Sequence, residues 1–76
     1  MRELLLTLAR ALVDSPERVR VTEHPEGNGS FLELRVAAED RGRVIGKKGR
    51  TADALRTLLD AVARQRGTHC DMEIMD

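Results

Sequence analysis

Gly46-Lys47-Lys48-Gly49 is the segment that most narrows what this chain can become. The apolar pair Val44-Ile45 precedes it, and a run with apolar residues at helical spacing follows. Two helices joined by four residues must turn sharply, and two glycines permit backbone conformations that a β-carbon would obstruct. The same lack of side chains lets the main chain approach a ligand closely. The lysines supply positive charge, and the following helix presents free N–H groups and the positive end of its dipole. A ligand for such a loop carries phosphates.

The rest of the chain reads as elements arranged around that turn. Residues 2–13 place Leu5, Leu8, Ala9 and Leu12 at helical spacing, which predicts an amphipathic helix with this stripe toward the core. Asp14-Ser15-Pro16 ends it, because the residue before a proline is pushed out of the helical region. Residues 18–23 alternate polar and apolar, the period of a half-buried strand, and lead into the turn-forming cluster from His24 to Gly29. Residues 30–36 alternate again, with Leu32, Leu34 and Val36 on one face, so an antiparallel hairpin is expected. Helical spacing resumes over residues 37–45, with Glu39 and Asp40 near the start, where the dipole favours negative charge. Gly42 inside this helix costs about 1 kcal/mol relative to alanine, so packing or a nearby ligand must justify it. After the glycine turn, Ala52, Leu55, Leu58, Leu59 and Val62 mark the stripe of a helix to about Arg64, which Gly67 closes. Cys70, Met72 and Ile74 then alternate with Asp71, Glu73 and Met75 as a last strand.

Two helices between the second and third strands impose a right-handed crossover joining parallel neighbours. The expected class is α+β, in the order helix-strand-strand-helix-helix-strand, with a three-stranded mixed sheet covered by helices on one face. The 76 residues read as one domain spanning 1–76, close to the lower limit for a core without metal or disulfide support. Phe31 is the only aromatic residue, so the core is aliphatic and no aromatic platform exists for stacking bases.

Net charge is zero, from 13 basic and 13 acidic residues, which by itself argues against an anionic partner. The distribution reverses that reading. From Arg41 to Arg66 there are eight basic residues against two acids, a local excess of six positive charges, and the remainder of the chain carries the opposite excess. Such asymmetry points to a basic face for an anionic partner.

Other chemistry is poorly supported. A Walker phosphate loop needs four residues between its glycines and then Lys-Ser or Lys-Thr, whereas Gly42 and Gly46 have three between them and Lys47 precedes Lys48. The three-glycine dinucleotide pattern following a strand is also missing. No nucleophile, histidine and acid cluster is readable, and Asp53 and Asp60 read as solvated helix charges, so no catalytic residue is assigned. Cys70 is the single cysteine, which excludes an internal disulfide; with only His24 and His69 beside it, no metal site is assigned and no cofactor is expected. The leading Met1-to-Arg10 segment is interrupted by Glu3 and Arg10, and no apolar run reaches the roughly 20 residues that cross a membrane. A cytoplasmic location is the simplest expectation. Asn28-Gly29-Ser30 fits the glycosylation pattern but reads as a turn.

Taken together, Val44-Ile45-Gly46-Lys47-Lys48-Gly49, continuing through Ala52 and Leu55, resembles the core of a KH domain. The element order is similar to the prokaryotic type II arrangement, and over essentially all 76 residues the chain resembles the small bacterial single-KH proteins of the KhpA family. The resemblance implies cytoplasmic binding of single-stranded RNA and a role as a probable RNA chaperone. It also implies a homodimer, or pairing with a larger KH-containing protein, and a link to cell shape and the cell wall. Gly46 and Gly49 would let the loop approach the sugar-phosphate chain, Lys47 and Lys48 would meet phosphates, and Arg50 would add a further contact. Ile45, Ala52, Leu55 and Met72 are candidates for an apolar floor beneath bases, with Leu55 read more readily as core. Many KH domains carry a larger aliphatic residue at the position of Ala52. Arg41, Arg43 and Arg56 would supply a longer-range field. Without aromatics, sequence discrimination is expected to be modest and affinity strongly salt-dependent. The alternatives are a protein-interaction module that keeps the fold as a dimerisation platform, and a ribosome- or DNA-associated use of the same groove. Phe31 and Met75 point away from the expected core stripes and are candidates for a partner surface.

Overall fold

In the computed structural model, which describes residues Met1–Asp76, α1 (Arg2–Leu12) forms on the expected segment and buries most of the expected face. Leu5, Leu6 and Ala9 are buried, Leu8 is half-buried and Leu12 is 38% exposed. The expected stripe holds at Leu5 and Ala9 and in part at Leu8, which packs against the core; Leu12 lies outside it and Leu6 joins it. Leu5, Leu6 and Ala9 lie in the core, while Leu8 and Leu12 also line the gap between α1 and the long helix α3 (Arg50–Gln65).

A short 3-10 turn at Pro16–Arg18 leads into β1 (Arg20–Glu26), which pairs antiparallel with β2 (Gly29–Arg35) from Arg20↔Arg35 to Glu26↔Gly29. The first strand starts later and runs further than the alternation implied, because Gly27-Asn28 alone make the turn, with Gly27 at φ +61°. Pro25 is tolerated inside the strand because β1 is an edge of the sheet. The strand order is β1-β2-β3, and β3 (Cys70–Ile74) pairs parallel with β2 from Ser30↔Cys70 to Leu34↔Ile74. The crossover expected between the last two strands is present.

The helix expected over residues 37–45 is divided into a 3-10 turn at Ala38–Asp40 and a short α2 (Arg41–Ile45). Asp40 stands at the division. Its side chain is only 1% exposed and accepts hydrogen bonds from the backbone N–H groups of Asp14 (3.2 Å) and Ser15 (3.1 Å), in the segment that follows α1. Asp40, expected near a helix start, is thus also a buried tie between distant segments.

Ala52, Leu55, Leu59 and Ala63 form the buried face of α3, whereas Leu58, expected in the stripe, is 44% exposed and Val62 is half-buried. The helix ends as Gly67 N–H bonds to Arg64 O and Thr68 N–H to Ala63 O, both at 3.0 Å, the paired closure that a glycine in this position permits. The core is aliphatic: Leu5, Val44, Leu59, Leu32 and Leu34 are completely buried, with Met72 beside them. Cys70 lies in the same cluster as a free thiol, and burial pushes its pKa up, so it behaves as a small apolar residue. Phe31 and Met75 are both half-buried. The architecture is the type II KH arrangement, and no helix is long and apolar enough to cross a membrane.

Candidate functional site

The glycine turn is built from a buried anchor outward. Val44 is fully buried and fixes α2, so the next residue, Ile45, emerges at the surface with 40% exposure. Gly46 then adopts φ 77° and ψ 172°, a region essentially reserved for glycine. A β-carbon there would overlap Thr51 Oγ1 and lie 2.7 Å from Thr51 Cβ and 2.8 Å from its amide nitrogen. Both conformation and space therefore demand glycine. Lys47–Gly49 follow as a 3-10 turn in which Lys48 (φ 57°, ψ 26°) and Gly49 (φ 75°, ψ 11°) are left-handed. Lys48 is the only non-glycine residue of the chain with positive φ, at a cost of about 1–2 kcal/mol. Gly46 N–H bonds to Gly42 O at 2.9 Å, and Gly49 N–H to Gly46 O at 3.1 Å, so the turn is closed on itself with Lys47 and Lys48 exposed at its tip.

Ion pairing sorts the basic half that composition suggested. Seven of the 13 basic residues are paired with carboxylates. Arg43 faces Asp14 at 2.9 Å and Asp40 at 3.7 Å, Arg41 faces Asp76 at 2.9 Å, and Arg56 faces Asp53 at 3.1 Å. Their contribution to a long-range field is largely offset. Lys47, Lys48 and Arg50 form no such pair and are exposed, so three of the six basic residues without a carboxylate partner stand together on and beside the turn, the others being the dispersed Arg10, Arg20 and Arg66. Of the cations expected to act here, the structure sets these three together and gives Arg43 to the acids behind α2.

The apolar floor is thinner than expected. Ala52 is 4% exposed, Leu55 6% and Met72 2%, so all three serve the core beneath the turn, and Ile45 alone of the expected floor residues offers apolar surface. Two residues of α3 instead reach the outer edge of β3. Asp60 accepts from the Cys70 amide at 3.2 Å and from Arg64 Nε at 2.6 Å, and Arg56 Nε donates to the Met72 carbonyl at 3.1 Å. Arg64, and after it the Cys70 amide, hold the Asp60 carboxyl below the usual carboxylate range. Asp60 is accordingly a structural tie rather than a solvated charge. The spacings Asp53/Arg56 and Asp60/Arg64 announce helix ion pairs in the sequence, but no local signal announces their bonds to a strand.

A family model described as the KhpA/KhpB KH domain matches residues 2–74. The chain belongs to the KhpA/KhpB KH-domain family. It is 54% identical over 74 residues to the RNA-binding protein KhpA of Treponema pallidum, covering 97% of this chain and 92% of that one. It is 45% identical over 76 residues to the RNA-binding protein KhpA of Halalkalibacterium halodurans, covering both chains completely. The RNA-binding protein KhpA of Caldanaerobacter subterraneus is 47% identical over 75 residues, 99% of this chain and all of that relative. No solved structure matches the chain. KhpA/KhpB KH-domain proteins are not an enzyme family. The Gly46–Gly49 turn lies within the residues that this family model matches.

Proposed function

We propose that this protein binds single-stranded RNA, with the Gly46–Gly49 turn holding the sugar-phosphate backbone. The observation that carries this reading is the concentration of unpaired cations, Lys47, Lys48 and Arg50, on a turn whose glycine geometry brings the main chain to the surface. Gly46 and Gly49 give the backbone access, and the three cations neutralise successive phosphates. Lysine at the tip is a mobile point charge that tolerates different phosphate positions, which suits binding without sequence demand. Arg43 plays a lesser part because two carboxylates already face it, and Ile45 supplies the apolar contact beside the loop. Ala52 and Leu55 support the loop from below. The names of the relatives agree with RNA as the ligand.

The test is a gel-shift titration with a short unstructured RNA. Lys47→Asp/Lys48→Asp is expected to lose at least ten-fold in affinity while its thermal unfolding stays intact. Unchanged affinity in the folded double variant would remove the loop from the reading, and competition with a DNA strand separates RNA from DNA use of the groove.

The protein also pairs with a second copy of itself through an apolar groove of about 280 Å³ between α1 and α3, where Leu8, Leu12, Ala54, Leu55 and Leu58 line the walls. No charged side chain lines this groove, and the zero net charge of the chain leaves no overall repulsion between two copies. As a 76-residue domain with a small core, it gains from covering Leu12 and Leu58. This groove replaces Phe31 and Met75 as the preferred partner surface. By resemblance to the family, the cellular role is that of a cytoplasmic RNA chaperone acting on cell shape and cell-wall homeostasis; deletion of the gene should alter cell dimensions, and restoration by the Lys47→Asp/Lys48→Asp variant would argue against an RNA-dependent role.

A further inference from the structure

Between α3 and the outer edge of β3 lies an open cleft of about 480 Å³, lined by Arg56, Thr57, Asp60, Arg64, His69 and Asp71 among others. Arg56 spans it from helix to strand, fixed at two points: Nε donates to the Met72 carbonyl and Nη1 to Asp53 Oδ1, each at 3.1 Å. Its side chain nevertheless remains 38% exposed. Arg56 stands seven residues beyond Gly49, which is about 10 Å along the helix axis. That distance falls within the roughly four nucleotides a loop of this kind holds.

We propose that Arg56 contacts a nucleobase rather than a phosphate, and that it favours guanine and cytosine over adenine and uracil; this rests on the RNA-binding reading above. Asp53 already offsets the guanidinium charge, and a phosphate drawn to Arg56 would approach that carboxylate as well. A neutral base edge meets no such repulsion. Of the five N–H donors of a guanidinium, two are engaged by Met72 and Asp53, which leaves three in one plane. They have no acceptor capacity, so they match an edge that presents two adjacent acceptors. Guanine offers O6 and N7, and cytosine in a single strand offers O2 and N3. Adenine and uracil interleave a donor with each acceptor and leave one guanidinium donor opposite an N–H. Because Arg56 is held before the ligand arrives, little side-chain freedom is lost on contact. The aromatic stacking that this chain lacks is replaced by one oriented fork.

The experiment compares three short RNAs on the full chain: uridine only, and uridine with one central guanosine or cytidine. The strands with guanosine or cytidine are expected to bind at least about five-fold more tightly. Replacing the guanosine by 7-deazaguanosine, which removes the N7 acceptor, should erase most of the gain without any change to the protein. Arg56→Lys, which keeps the charge and loses the fork, should bind all strands within about two-fold of one another. Equal binding of all strands by the unaltered protein, or a preference that survives in Arg56→Lys, would overturn the assignment. If Lys47→Asp/Lys48→Asp bound every strand as tightly as the parent, the loop reading would fail instead, so the two failures are distinguishable.

Discussion

Thr51 fills the space that a side chain on Gly46 would need: a β-carbon there would stand 2.7 Å from Thr51 Cβ. The first turn of α3 thereby fixes the backbone of the loop that precedes it. Gly46→Ala is expected to lose about 2–4 kcal/mol in urea unfolding, from a disallowed φ together with a clash against backbone and side chain. Gly49→Ala has open space around it and bears only the left-handed penalty, about 1 kcal/mol. Equal losses in the two variants would show that the Thr51 contact is unimportant.

Asp40 ties the start of α2 to the segment that follows α1. Replacing it by alanine strands the N–H groups of Asp14 and Ser15 and empties a buried position, which predicts a loss of about 2–4 kcal/mol. Asp53→Ala removes only an exposed pair with Arg56 and should cost less than about 1 kcal/mol. Side-by-side thermal or urea unfolding of the two variants decides the matter, and a small effect of Asp40→Ala would mean that water satisfies both amides.

Much of the fold was legible because it follows from periodicity. The six elements, the hairpin and the parallel crossover are read from spacings of two and of three to four residues, and the loop from its glycines. What escaped is set by tertiary partners. Leu12 and Leu58 carry the same local signal as Leu5 and Leu59, yet they sit at the margin of the helix layer, where no strand covers them. Asp40 looks like any acid near a helix start, and only the return of the chain beside α1 makes it a buried acceptor. The charge excess from Arg41 to Arg66 was visible in the sequence, but its partners Asp14 and Asp76 are too remote for spacing to reveal.

Two depressed carboxyls make stability fall in acid. Glu33 is held below its ordinary value of 4.5, chiefly by its hydrogen bond with His24, and Asp60 below 3.8, chiefly by Arg64. A carboxyl whose folded pKa lies below its unfolded one binds more protons in the unfolded state at intermediate pH. The stabilisation is therefore full above the ordinary value and is lost as pH falls through the lowered one. Urea midpoints are expected to be insensitive to these groups above about pH 5 and to decline below about pH 4. Asp60→Asn should flatten the lower part of that decline; an unchanged acid limb would assign it to other carboxyls.

If Lys47, Lys48 and Arg50 each neutralise one phosphate, the logarithm of RNA affinity should fall with the logarithm of salt concentration at a slope of about −2. Lys47→Ala/Lys48→Ala should reduce that slope to about −0.7. A parent slope near zero would leave no place for phosphate clamping, while a much steeper one would bring in Arg10 or Arg66, which also form no pair with a carboxylate.

The α1/α3 groove makes a prediction about mass. If a second copy covers it, the protein in solution has twice the 8.5 kDa of one chain, and Leu58→Glu returns it to a monomer by placing a charge in an apolar seam. Leu58 is 44% exposed in the single chain, so the substitution should barely affect the stability of the monomer itself. Light scattering across a concentration series reads the mass, and a gel shift on the same variant reads RNA binding. Binding should persist because Leu58 itself stands about two helical turns beyond Arg50 and outside the Gly46–Gly49 turn, although Thr51 and Leu55 line the same groove. A parent that stays at the monomer mass even at high concentration would exclude self-pairing and leave the groove to a different KH-containing protein. A dimer unaffected by Leu58→Glu would move the interface to another surface, with the sheet face bearing Phe31 the next to test.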